Sequence, residues 1–237
     1  MVTALSYVAV ILGSAVQAAT GLGFALVAGP FLIAVNGHSE AIRTIMVQSS
    51  ILNLLVLARE WRGVELKPLS PLLIGGLVAV APVAFIIRNA NTYVLAIVAG
   101  VITLVAAVVL ASGVRIKLLR GAAPGVATGA ISATTGLLAG IGGPPVAMYA
   151  INSGWKPAMY RPALQVFFLI LNFAGLALLG LPESNQLLCA AVLIVGWLAG
   201  TVFARKLNER SLVMAALTVA AAGGIFAAAQ GLVKLLG

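Results

Sequence analysis

Gly136-Leu137-Leu138-Ala139-Gly140-Ile141-Gly142-Gly143-Pro144-Pro145 interrupts an apolar stretch at 122–151 with four glycines and two prolines. As one unbroken helix, those 30 residues would run about 45 Å. A bilayer's hydrocarbon core is about 30 Å thick. Glycine admits positive φ and lets other groups approach the backbone. Proline lacks an N–H and favours a helix start. The stretch therefore reads as two half-helices meeting at a break.

A second stretch of this kind opens the chain. Residues 3–35 carry Gly21-Leu22-Gly23-Phe24-Ala25-Leu26-Val27-Ala28-Gly29-Pro30. Thr20-Gly21-Leu22 returns as Thr135-Gly136-Leu137, and Pro30 as Pro145, at an offset of 115. Farther along, Arg43 pairs with Arg161 and Asn53 with Asn172, at offsets of 118 and 119, with Gln48 and Gln165 between them. These matches predict two structural repeats, about 1–115 and 116–237.

The remaining apolar stretches fall at about 41–58, 69–87, 93–111, 163–181, 187–204 and 212–236, giving eight in all. Short polar segments separate them, none long enough for a soluble domain. The chain is 62% hydrophobic and 8% charged, with a mean hydropathy of +1.16. Soluble domains are about one-quarter charged, because water must wet their surface. The expected fold is an all-α polytopic membrane protein, a single domain over 1–237.

Charge sets the expected topology. If all eight stretches cross, the 14 Lys and Arg divide evenly between the two sides. If stretches one and five are re-entrant, one side gathers Arg59, Arg62, Lys67, Arg115, Lys117, Arg120, Lys156, Arg161, Arg205, Lys206 and Arg210. Arg43, Arg88 and Lys234 remain on the other. That asymmetry matches a cytoplasmic excess of basic residues. It places both termini outside and makes the repeats inverted. No Lys or Arg precedes Arg43, so no cleavable signal peptide of ordinary form is expected.

Several function classes lose their residues. There is no Asp, and the five acidic residues, Glu40, Glu60, Glu65, Glu183 and Glu209, lie between the apolar runs. Carboxylate proton relays and paired-Asp magnesium sites are thus not expected. The net charge of +9 is read as loop orientation, with no nucleic-acid partner. The single Cys189 allows neither a disulfide framework nor a cysteine metal site. His38, beside Glu40, is expected in a solvated loop. No phosphate-binding Gly-x-x-x-x-Gly-Lys-Ser/Thr motif occurs. Neither metal nor cofactor is expected.

Glycine breaks at matching places in two halves point to a transporter's substrate site, and half-helix N-termini attract anions. The candidate substrate-binding residues are Thr20, Gly21, Gly23 and Pro30 in the first break. Thr135, Gly136, Gly140, Gly142, Gly143, Pro144 and Pro145 come from the second, and Gln48, Asn53, Gln165 and Asn172 from the following helices. Ser49 shares a helical face with Asn53. Arg43 and Arg161 would draw anions into the two vestibules, or simply snorkel at the interfaces.

Gly21-Leu22-Gly23-Phe24 with Pro30, Glu40-Ala41-Ile42-Arg43-Thr44, and Gly136 through Pro145 resemble the sulfite exporter TauE/SafE family, also called the toluene sulfonate uptake permease group. The resemblance runs over essentially the whole chain, and the second glycine-proline motif is its most specific part. It implies a secondary transporter of sulfite, sulfonates or related organic anions in the inner membrane of prokaryotes. Ala25 and Val27 stand where further glycines would be expected, which makes the first half-site tighter. Proton or sodium coupling and a homodimer both stay open, as does the direction of transport. The rival classes are a membrane-embedded enzyme and a non-transporting assembly subunit.

Overall fold

The computed structural model describes residues 2–112, 120–183, 189–203 and 209–236. Ten α-helices occur among them. The first five are α1 (Val2–Thr20), α2 (Phe24–Asn36), α3 (His38–Glu60), α4 (Ser70–Asn89) and α5 (Thr92–Ser112). Then come α6 (Ala122–Ala139), α7 (Gly143–Asn152), α8 (Pro157–Leu179), α9 (Cys189–Phe203) and α10 (Glu209–Leu236). Ten arise from eight apolar stretches because stretches one and five are each two helices. Arg115, Lys117, Arg205, Lys206 and the side chain of Arg210 lie outside the described residues.

Among the described residues, five helical segments are long and apolar enough to cross a membrane: His38–Glu60, Lys67–Asn89, Thr92–Ser112, Ala158–Leu179 and Met214–Leu236. In α5, only 28% of the most apolar window is buried within the protein. Val78, Phe85, Val108 and Val233 are each about 70% exposed. A belt of bare branched and aromatic side chains on regular helices is what hydrocarbon covers and water does not.

Each broken stretch folds back on itself. Gly13 of α1 packs on Phe24 and Ala28 of α2. In the second, the Tyr149 hydroxyl of α7 donates to Gly121 O, just before α6, at 2.9 Å. Both are helical hairpins, with tips at 21–23 and 140–142.

The hairpins lean on helices of the opposite half. α6 lies along α4 and α1 along α9, while α3 pairs with α8 and α5 with α10. Glycine permits these approaches. A Cβ on Gly129 of α6 would sit 2.0 Å from Leu72 O, and one on Gly200 of α9 would sit 2.5 Å from Ala15 O. Close backbone contact through small residues is the main source of helix association where lipid removes the hydrophobic drive.

The structure corrects the reading of His38. Only Gly37 separates α2 from α3, and His38 is the first residue of α3, with 0% exposure. Its Nε2 lies 2.7 Å from Leu138 O. The sequence suggested a solvated loop because polar residues cluster at 36–40. Helix packing buries His38 instead, while Asn36, Ser39 and Glu40 stay partly exposed.

Candidate functional site

Both breaks are built by a left-handed glycine. Gly21 has φ 79° and Gly140 φ 77°. Each N–H bonds back to a carbonyl four residues earlier, Gln17 O and Gly136 O, both at 2.8 Å. This is the ordinary glycine C-cap, and any side chain would be strained there. Two residues on, Gly23 and Gly142 stand immediately before α2 and α7. Gly21-Leu22-Gly23 is thus the counterpart of Gly140-Ile141-Gly142, 119 residues apart.

The ends of α1 and α6, the starts of α2 and α7, and both ends of α3 and α8 repeat at that same spacing. The offset of 115 was one turn short. It paired Thr20 with Thr135 by residue identity, whereas the chain turns where positive φ is available. Pro30 is also placed differently from expectation. It lies inside α2 and packs against Gly223 of α10, so α2 starts at Phe24 instead.

The two tips meet. A Cβ on Gly143 would lie 3.7 Å from Leu22 Cδ2, and one on Gly140 would lie 3.3 Å from Ala25 Cβ. Beside this junction is a largely apolar cavity of about 350 Å³. Both hairpins line it, together with α3 and α8. Its polar side chains are Gln17, Thr20, Ser49, Asn53, Ser132, Tyr160 and Asn172. Among the described residues, no Asp, Glu, Lys or Arg lines it.

Each hairpin is braced by the other half of the chain. Arg161 Nη2 of α8 donates to Ala19 O at 3.3 Å, and Gln165 Nε2 donates to Gly21 O at 2.9 Å. At the second hairpin, His38 of α3 bonds Leu138 O. Ala19 and Leu138 are equivalent positions at the 119-residue spacing. In each hairpin the same carbonyl of the last turn is held from across the molecule. Such a carbonyl has no partner within its helix and sits at the negative end of the dipole.

A family model for sulfite exporter TauE/SafE matches residues 6–227, which include both breaks and every residue of the cavity. The chain belongs to the sulfite exporter TauE/SafE family. Comparisons with curated proteins and with solved structures gave no match. Members of the TauE/SafE family are transporters, not enzymes, and this one is a multi-helix membrane protein.

In this TauE/SafE chain, Thr20, Gly23, Asn53, Gly136, Gly140, Gly142, Gly143, Pro144 and Asn172 line the cavity. Gly21, Gln165 and Arg161 do not. Arg161 and Gln165 brace the first tip, to which Gly21 belongs, from outside the cavity. Thr135 turns its hydroxyl to Ile131 O and Ser132 O, and Pro145 is not among the lining residues. Gln48 is buried with both amide atoms unpartnered, away from the cavity wall. Arg43 is paired with Glu40 at 3.1 Å, so its charge is locally answered. Arg161 is half-buried with its Nε unpartnered.

Two polar lining residues that hold the tips, Ser132 and Gln17, were not among the expected ones. Ser132 Oγ donates to Gly142 O at 2.6 Å, clamping the second tip to α6. Gln17 reaches across the first tip, accepting from Phe24 N at 3.2 Å and donating to Asn53 Oδ1 at 3.1 Å. A lone glutamine in an apolar helix, one turn before a glycine break, was the available signal.

The starts of α2 and α7 both open on this cavity, through Gly23, Ala25 and Leu26, and through Gly142 and Gly143. Pro144 and Pro145 carry no N–H. At the start of α7 the outward donors are therefore confined to the two glycines. Among the described residues, no group of three or more His, Cys, Asp or Glu is arranged to hold a metal.

Proposed function

We propose that this chain is a secondary transporter that carries a small anion across the cell inner membrane by alternating access. The substrate is sulfite, a sulfonate or a related organosulfur or organic-acid anion, bound in the cavity between the two hairpins. One observation carries this reading: two helix N-termini converge on a cavity with no carboxylate among its described lining residues. Each N-terminus presents roughly half a positive charge, contributing about 0.3–1 kcal/mol exposed and up to about 2 kcal/mol when partly buried. Two such ends hold an oxyanion without a charged side chain in the wall, and weakly enough to release it.

The mechanism needs a fixed site reached from either side, and inverted repeats supply it. In this reading 1–237 is one membrane domain of two inverted halves. The hairpins enter from opposite faces and meet at mid-depth. The exchanged packing supports it, since α4 meets α6 as α9 meets α1. So does the recurrence of helix boundaries. Both termini are extracytoplasmic, and 59–67, 115–120 and 205–210 are cytoplasmic. In sealed cells, an outside-only thiol reagent should label a cysteine placed at 2 or 237. Labelling of a cysteine at 117 would overturn this orientation.

Flux decides the function. Purified protein in liposomes should move labelled sulfite or a small alkylsulfonate, and should ignore amines and neutral sugars. Imposed proton and sodium gradients identify the coupling ion. An absence of solute flux under every gradient would favour an assembly subunit.

A further inference from the structure

We propose that Gln17 is a positioning residue that sets the hydrogen-bond polarity of the cavity, making Asn53 a donor towards the substrate. The inference rests on the reading of this cavity as the substrate site. It starts from a group whose role has no freedom. The Phe24 backbone N–H can only donate, so the atom 3.2 Å from it must be the Gln17 amide oxygen. That choice turns the Gln17 NH2 the other way, where it meets Asn53 at 3.1 Å. Asn53 must answer with Oδ1, because two NH2 groups cannot bond each other. The Asn53 NH2 is then what remains.

That remainder is unsatisfied. Asn53 lines the cavity and is 2% exposed, and its Nδ2 has no partner among the described residues. A buried unpaired donor costs about 1–3 kcal/mol, and a substrate oxygen accepting from it recovers that cost. Amide side chains usually leave their orientation to circumstance. Here the first free N–H of α2 dictates it through two successive amides. The site prefers acceptors because a helix start requires it. Gln17 needs no contact with the substrate to impose this preference.

Uptake of labelled sulfite into proteoliposomes, measured against concentration, tests the relay. Gln17→Met keeps length and removes both bonds. It should raise the half-saturation concentration about tenfold, with the maximal rate changed less than about twofold, and should lower the unfolding temperature in detergent because it strands the Phe24 N–H. Asn53→Leu should do the same. The double variant should be no worse than Asn53→Leu alone, since both changes remove one interaction. Gln17→Glu still accepts from Phe24 N–H but turns Asn53 over, so it should lose affinity at least as strongly.

Wild-type half-saturation in Gln17→Glu, or effects of the two single changes that multiply in the double variant, would overturn the relay while leaving anion transport standing. A wild-type protein that moves amines and not sulfite or a sulfonate overturns both.

Discussion

Gly142→Val should lower sulfite flux at least about tenfold while the protein still inserts and purifies. The backbone there is unstrained, at φ −89°, so the effect comes from space alone. A Cβ on Gly142 would lie 3.0 Å from Ser132 O, 3.0 Å from Ser132 Oγ and 3.1 Å from Phe168 Cε1. Valine adds two further carbons to a position already closed on those sides. Overpacking of this kind costs about 1–3 kcal/mol, and about 1.4 kcal/mol corresponds to a factor of ten. It also pushes on the Ser132–Gly142 bond that holds the tip at the cavity. Gly143→Ala is the matched control. Its methyl would meet only Leu22, at 3.7 Å, and should preserve most of the flux. Equal loss in both variants, or none in either, would mean that the second tip does not shape the site.

The next largest effect is expected from Gln165→Leu, which acts without touching the cavity. Gln165 is wholly buried and its Nε2 bonds Gly21 O and Arg161 O, at 2.9 and 3.1 Å. Gly21 is in the left-handed conformation at the break, so its carbonyl has left the helical ladder. Leucine fills the volume but strands that carbonyl in a protein interior, at about 1–3 kcal/mol. The variant should bind sulfite about tenfold more weakly, and its unfolding temperature in detergent should fall. A lowered melting point with normal affinity would assign the brace to stability alone. An unchanged variant would show that α8 does not hold the first tip.

Much of the fold was legible because the chain punctuates its helices with residues of strong physical preference. Four glycines and two prolines in ten residues leave a helix few options, and the second break falls inside the expected stretch. The first break was harder to place. Pro30 drew attention as a helix start, yet it is the seventh residue of α2, and an interior proline is tolerated in a membrane helix whose neighbours cover the gap. Identity of Thr20-Gly21-Leu22 with Thr135-Gly136-Leu137 set the repeat one turn off, because identity does not register φ.

The side chains were less legible than the breaks. Asn53 and Asn172 reach the cavity as their shared register suggested, and Asn172 also bonds Ser50 Oγ at 3.3 Å. Gln48 and Gln165, 117 residues apart and so two short of that register, turn elsewhere, since one amide in an apolar helix looks like any other until its neighbours are known. Gln17 lies in a helix whose composition is otherwise that of a plain span. Arg43 read as a free cation until folding put it against Glu40 in the first turn of α3.

The braces across the molecule have a consequence for how the chain is made. The first hairpin leaves the ribosome well ahead of the helix that holds it, since its end is fastened by Arg161 and Gln165, about 140 residues later. Its outer flank waits longer still, for Gly196 and Gly200 of α9. At about 5–20 residues per second, that interval is roughly 7–30 s. Through it, the carbonyls of Ala19 and Gly21 are without the partners they finally take. A hairpin made before its braces is locked only after them. Two halves synthesised as separate polypeptides would each carry an unfastened hairpin until they found one another in the bilayer.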